Sequence, residues 1–205
     1  MCRAKCPFLV AQIYLVKIER GIAVCREKEQ ALFENVVLIG MPGCGKSTVG
    51  VLLAKAIGLD FVDTDVVFQA KEGRKLQSII DEIGVDGFLE LEEKTIQSFS
   101  WNNCVIATGG SVVYGENAMK HLRENGIVVY IRLPFEEIEK RLSNLATRGV
   151  TLREGQTLKD LYDERIPLYE ANADIVYDAF GADIETTVEQ VADMIREYNG
   201  VHHGC

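Results

Sequence analysis

A run of glycines ending in one lysine and two hydroxyl residues carries the clearest chemistry in this chain. Residues 40–48 read GMPGCGKST and follow directly on the apolar Val36-Val37-Leu38-Ile39. The spacing Gly40-x-x-x-x-Gly45-Lys46-Ser47 has a strand pattern before it and an amphipathic helix pattern after it (Val49, Leu52, Leu53, Ala56). That is the setting of a phosphate-binding loop. Glycines let successive backbone N–H groups curl around phosphate oxygens, and the start of the following helix adds partial positive charge. Lys46 supplies a point charge for the β- and γ-phosphates, and the Ser47 hydroxyl is a hard ligand suited to Mg2+. The loop therefore predicts a nucleoside triphosphate with magnesium. It is silent about the group that accepts the phosphoryl.

Two carboxylates offer acceptor chemistry. Asp63-Thr64-Asp65 closes the second apolar run, and residues i and i+2 of an extended chain point to one side. One aspartate can then hold magnesium or its water while the other takes the proton or hydrogen bond of an attacking hydroxyl. An equal reading makes either aspartate the N-cap of a helix carrying Val66, Val67 and Phe68. The spacing leaves both open. Thr108-Gly109-Gly110-Ser111 follows another strand, where the ends of parallel strands usually hold ligands. Residues 144–156, NLATRGVTLREGQ, are polar, glycine-bearing and basic at 148 and 153, a composition suited to a mobile lid.

These groups need a scaffold, and the remaining pattern supplies one. From about residue 35, apolar runs at 36–39, 61–62, 105–107, 128–131 and 175–177 alternate with helical periodicity at 46–57, 76–99, 117–124, 135–142, 158–170 and 184–198. Gly84 and Gly87 are expected to split the 76–99 segment. Strands alternating with helices predict an α/β fold, a parallel sheet with helices on both faces. Residues 1–34 fall outside this rhythm and read as an N-terminal extension of unknown role, ahead of a single domain at 35–205. The chain has 205 residues, 47% of them hydrophobic, enough for one substantial core. A formal net charge of −9 argues against a nucleic-acid surface, while leaving room for a local basic pocket. No apolar stretch approaches the roughly 18–20 residues of a membrane span. The N-terminal apolar run is broken by Lys17, Glu19 and Arg20 and lacks a small-residue cleavage site, so it is a poor secretory signal. The cysteines (Cys2, Cys6, Cys25, Cys44, Cys104, Cys205) form no C-x-x-C pair and suit reduced cytoplasmic thiols. Cys2, Cys6, His202, His203 and Cys205 match no zinc spacing.

From about residue 34 to 198 the sequence resembles the shikimate kinases, small members of the nucleoside-monophosphate-kinase-like P-loop kinases. The resemblance rests on LIGMPGCGKSTVG, GLDFVDTD, the helix ending DEIGVDGFLELEE, VIATGGS, GIVVYIRLP, the pair Arg141 and Arg148, and ERIPLYEANADIVYD. It implies a three-layer fold, a five-stranded parallel sheet flanked by helices, with a mobile lid at about 144–156. It also implies a cytoplasmic, monomeric, Mg2+-dependent enzyme that transfers the γ-phosphoryl of ATP to the 3-hydroxyl of shikimate in aromatic amino acid biosynthesis. By the same resemblance Gly43, Cys44, Gly45, Lys46, Ser47 and Thr48 bind ATP, and Arg141 reaches the nucleotide. Lys46, Asp65 and Arg148 are the catalytic residues implied: Asp65 orients or deprotonates the accepting hydroxyl, and Arg148 closes on the transferring phosphate. Ser47 and Asp63 serve the metal, Asp63 through water. Gly109 and Gly110 bring backbone N–H groups against the substrate, and Arg165 grips its carboxylate with the guanidinium fork. Without the resemblance these arginines read as solvated helix faces.

Departures from the family pattern fall on the acceptor side. Leu89 stands where the family's Phe-Arg-x-x-Glu motif has arginine, in Phe88-Leu89-Glu90-Leu91-Glu92. That arginine is a second cation for the substrate carboxylate, supported by the glutamate at the position of Glu92. Its loss removes a charge-assisted hydrogen bond worth about 1.5–3 kcal/mol. The glycine triplet reads Gly109-Gly110-Ser111, and the lid reads Arg148-Gly149-Val150-Thr151 in place of Arg-Pro-Leu-Leu. Either acceptor recognition has changed, or Lys94, Arg74 or Lys71 folds in to replace the arginine. Two other functions stay open: a kinase for another small hydroxylated acid or hydroxy amino acid such as homoserine, or a nucleotide-binding module without catalysis. Intact Lys46, Ser47, Asp65 and Arg148 speak against the module.

Overall fold

The structure, a computed structural model, describes residues 35–143 and 150–203, with side chains as far as residue 200. The extension at 1–34, the first part of the expected lid (144–149) and Arg148 within it lie outside the described residues.

Strand β1 (Asn35–Ile39) runs through the glycine loop into helix α1 (Lys46–Ile57), then β2 (Asp60–Asp63), α2 (Thr64–Glu72) and α3 (Leu76–Gln97). The chain continues with β3 (Cys104–Ala107), a 3-10 turn at Val112–Tyr114, α4 (Glu116–Glu124), β4 (Ile127–Arg132) and α5 (Phe135–Ser143). Helix α6 (Leu158–Asn172), β5 (Ile175–Asp178) and α7 (Ile184–His203) complete it. The strands form one parallel sheet in the order β2-β3-β1-β4-β5. A parallel sheet needs a crossover between neighbours, and the helices supply these crossovers while covering the sheet.

The strand sequences follow from their places. β1 is central, and all five residues of NVVLI are buried, as expected of a strand covered on both faces. Its Val37 lies beside Ile106 of β3 on one side and Val128 of β4 on the other. β5 is an edge, and IVYD alternates between buried and exposed positions. At the N-terminal end of the sheet the buried Asn35 side chain donates to the carbonyls of Trp101 (2.7 Å) and Asn125 (2.9 Å) and accepts from the Cys104 N–H (3.1 Å). This cross-tie joins β1 to the start of β3 and to the turn before β4, at the end of the sheet opposite the phosphate loop.

The helices correct the sequence expectation at one point and decide between its two readings at another. The 76–97 helix breaks at Gly84 alone, which takes φ 73° and ψ 174°, while Gly87 stays helical. A helix begins at Thr64, so Asp65 lies in its first turn and not in extended chain. Apart from the main core under the sheet, Phe68, Ile79 and Phe88 form a second buried cluster between α2 and α3, with Leu89 packed against it. Among the described residues no helix is long and apolar enough to cross a membrane.

Helix α1 approaches the sheet closely at Gly50, where an added Cβ would lie 2.6 Å from Phe61 Cε2 and 3.3 Å from Leu38 Cδ1. Gly50→Val is therefore expected to destabilise the fold by about 1–3 kcal/mol through overpacking. An unchanged melting temperature would show that α1 has room to move there.

Candidate active site

The phosphate loop leaves β1 at Gly40, where φ is 144° and an added Cβ would lie 2.7 Å from the Ile131 carbonyl oxygen. It re-enters helix through Gly45, the α1 N-cap, at φ 103°, a conformation that favours glycine. Lys46, the first helical residue, is only 7% exposed. Its Nζ donates to the carbonyls of Gly40 (2.8 Å) and Met41 (3.0 Å), so its charge lies inside the curl of the loop. The Cys44 side chain is buried, with Sγ 3.8 Å from Lys46 Nζ, which leaves only its backbone for a ligand. Ser47 and Thr48 are exposed on the first turn of α1, where the free N–H groups of the helix and its partial positive charge are directed. Near the lower end of α5, Arg141 donates from Nη1 to the Gly43 carbonyl (3.3 Å), which sets an exposed guanidinium on the rim of the loop.

At the end of β2 the capping geometry is real for Asp63. Its Oδ1 accepts from the N–H groups of Asp65 (3.0 Å) and Val66 (3.4 Å), while the second carboxylate oxygen has no part in the cap. Of the two readings that the spacing left open for Asp63-Thr64-Asp65, the N-cap holds for Asp63, and the extended pair does not form because this cap turns the backbone into α2 at Thr64. Thr64 Oγ1 accepts from the Gly109 N–H (3.1 Å), which locks the end of β2 to the end of β3.

Gly109 and Gly110 form a bare shelf between acidic and basic groups. A Cβ on Gly109 would lie 2.5 Å from Glu92 Oε1 and 2.9 Å from Asp65 Oδ1. A Cβ on Gly110 would lie 2.7 Å from Pro42 Cδ of the phosphate loop and 3.1 Å from Arg165 Nη1. The shelf thus brings together Asp65, Glu92, Arg165 and the loop from four separate elements.

Arg165 is not on a solvated face: at 1% exposed it is among the most deeply buried side chains of the chain. Its Nη2 donates to Thr151 Oγ1 (2.5 Å) and its Nε to the Tyr114 hydroxyl (3.3 Å), and the guanidinium lies 5.1 Å over the Tyr114 ring. One turn further on α6, the buried Tyr169 hydroxyl donates to the Gly110 carbonyl (2.6 Å) and its ring stacks on Tyr130. The sequence reading missed Thr64, Tyr114, Thr151 and Tyr169 as supports. Only Tyr169 left a signal, its i+4 spacing from Arg165. Arg153, in the described part of the expected lid, pairs with Asp86 and Glu164 and so ties that stretch to α3 and α6.

Two carboxyls titrate unusually here. Burial pushes Asp65 up to about 6, with Asp63 adding to the rise and Lys46 opposing it. Burial pushes Glu92 up to about 7; the Ser111 hydrogen bond opposes this, Asp65 adds to it, and Arg165 and Lys46 oppose it. Glu92 is 6% exposed, and Ser111 Oγ donates to its Oε2 at 2.7 Å. A cavity of about 10 Å³ bounded in part by Thr64, Asp65, Glu92 and Thr95 has room for at most one water on that side of the carboxyl. None of the three cations considered as replacements comes in. Lys94 pairs with Glu90, Arg74 with Glu82, and Lys71 donates to Ser98 Oγ and lies over the Phe99 ring.

With this geometry in place, the comparisons with known proteins agree on one family. The shikimate kinase family pattern matches residues 42–196. A shikimate kinase of Thermodesulfovibrio yellowstonii is 37% identical over 175 residues, covering 83% of this chain and 98% of the relative. One from Persephonella marina is 34% identical over 163 residues, covering 79% of this chain and 99% of that protein. Among solved structures, the shikimate kinase of Acinetobacter baumannii in complex with shikimate superposes with a TM-score of 0.74 at 29% identity, covering 80% of this chain and 94% of that one.

Glu92 also makes stability depend on pH. Its carboxyl starts from an ordinary value of 4.5 and rises to about 7 in the fold, so the folded state binds its proton more tightly. The cost of burying the anion is absent below about pH 4.5, grows between these two values and is complete above about pH 7. At 1.36 kcal/mol per pH unit this is of order 3 kcal/mol. Glu92→Gln is therefore expected to melt higher than the wild type at about pH 8, with the difference closing toward about pH 5. A difference that stays constant across that range would contradict the assignment.

Proposed function

The chain belongs to the shikimate kinase family, and from that premise we propose that it transfers the γ-phosphoryl group of ATP to the 3-hydroxyl of shikimate, a step toward the aromatic amino acids. One observation carries the reading beyond family membership: a phosphate loop, a carboxyl and a buried guanidinium converge on the Gly109-Gly110 shelf. A shikimate-sized acid on that shelf has Arg165 for its carboxylate and Asp65 for its hydroxyl, with the donor phosphate alongside.

In this mechanism the loop amides and the start of α1 hold the phosphates, and Lys46 turns from the loop carbonyls to the γ-phosphoryl oxygens. Asp65 accepts the hydrogen bond of the attacking hydroxyl and takes its proton as the new O–P bond forms. Arg165, fixed by Thr151 and Tyr114, orients the acceptor through a bidentate grip. Arg141 stands at the rim of the loop beside the nucleotide, and the family resemblance assigns Arg148 to the transferring phosphate. The oxygen donors fit Mg2+, since the Ser47 hydroxyl is exposed on the first turn and Asp63 has one carboxylate oxygen outside its cap. When bound, that ion neutralises phosphate charge as the transfer proceeds. The reading places the enzyme in the cytoplasm, in keeping with its unpaired, buried Cys44 and Cys104.

ADP release followed with shikimate, with homoserine and with no acceptor tests the proposal. The expected result is turnover dependent on shikimate; release that homoserine alone stimulates would reassign the acceptor. Lys46→Ala is expected to lower kcat by about 100-fold or more. Asp65→Asn is expected to lower kcat by about 100-fold or more while the KM for ATP changes little. An equal loss in ATP affinity would place Asp65 on the donor side.

A further inference from the structure

Glu92 is a buried titratable group to which the phosphoryl transfer assigns no role, although it faces the same shelf as Asp65. One of its oxygens takes the Ser111 hydroxyl and the other is directed at Gly109. The charged groups facing it are Asp65 of α2, with Asp63 behind it, Arg165 of α6 and Lys46 of α1. Its own helix adds none. Position 89, one turn earlier, is where a cation at i−3 reaches a glutamate, but Leu89 turns its side chain into the apolar cluster of Phe68, Ile79 and Phe88. The hydrogen bond that Glu92 receives comes from a neutral hydroxyl.

The shelf therefore has one buried guanidinium and two nearby carboxyls before any ligand arrives. An acceptor that carries its own carboxylate adds a third negative group. Arg165 keeps free donors for the ligand beside its bonds to Thr151 and Tyr114, but its single positive charge cannot balance both the ligand's carboxylate and an ionised Glu92. We propose that Glu92 is a specificity-determining residue that couples acceptor binding to proton uptake: an acid acceptor is held well only while Glu92 is protonated. This rests on the kinase reading above and deepens it. Burial, which raises the Glu92 carboxyl from 4.5 to about 7, brings the change within the range of an ordinary assay. Protonated Glu92 is neutral and keeps its place beside Ser111. Ionised Glu92 competes with the ligand's carboxylate for the positive charge of Arg165.

The test measures the KM for shikimate at saturating ATP in the full chain, across about pH 6 to about pH 8.5. The acceptor's own carboxylate stays ionised throughout that range. The wild-type KM is expected to rise about fivefold or more toward high pH. Glu92→Gln, which imitates the protonated state, is expected to keep a low and nearly flat KM, below the wild type at high pH. A purely structural role for Glu92 would instead raise KM at every pH. Leu89→Arg provides a second variant, which supplies the missing cation and is expected to flatten the same profile. A flat wild-type profile, or one that survives in Glu92→Gln, overturns the inference while the kinase reading stands. A chain that releases no ADP with shikimate at any pH overturns both.

Discussion

Close approach at the Gly109-Gly110 shelf is the constraint on which the site depends. Side chains at either position would collide with Asp65 and Glu92 on one side, or with Pro42 and Arg165 on the other. Because backbone alone occupies this space, four elements bring their functional groups within reach of one small acceptor. The shelf is held from three directions: Thr64 Oγ1 accepts from the Gly109 N–H, the Tyr169 hydroxyl donates a hydrogen bond to the Gly110 carbonyl, and Ser111 donates to Glu92. Such preorganisation keeps the reacting groups in register without further movement of the scaffold.

The sheet makes this convergence possible. Order β2-β3-β1-β4-β5 puts β1 between β3 and β4, so the phosphate loop emerges next to the end of β3 and one strand away from Asp63 at the end of β2. The donor and acceptor halves thus come from neighbouring strand ends. Helix α6 then leads from the loop at 150–157 to β5 and lays Arg165 and Tyr169, one turn apart, against the shelf.

Charge is less evenly settled than geometry. On the donor side Lys46 is caged by carbonyls, and the exposed Ser47 and Thr48 stand at the helix start. On the acceptor side a buried carboxyl survives without a paired cation. It is tolerated because a hydroxyl satisfies one oxygen and its proton affinity rises, the usual response of an acid taken out of water. Leu89 meanwhile stabilises the small apolar cluster between α2 and α3. Packing and electrostatics are traded against each other at two positions one turn apart on one helix, Leu89 and Glu92.

Much of this was legible in the residues themselves. The loop glycines, Lys46 and Ser47 declare their chemistry because phosphate binding needs backbone freedom at fixed spacing, which is a local property. The five apolar runs likewise appear as the five strands, since each central parallel strand must be apolar on both faces. Local rules did less well where two motifs overlap. Asp63-Thr64-Asp65 read equally as an extended pair or a cap, and only the turn into α2 decided it. The supports were not legible at all: Thr64, Tyr114 and Thr151 are ordinary residues made important by what lies across from them. The burial of Arg165 and the raised proton affinity of Glu92 belong to the same class. The sequence by itself determined the donor chemistry and the α/β architecture, because both rest on short-range spacing and period. The tertiary structure alone decided how the acceptor side is charged, because burial and Coulomb interaction depend on neighbours that lie far apart along the chain.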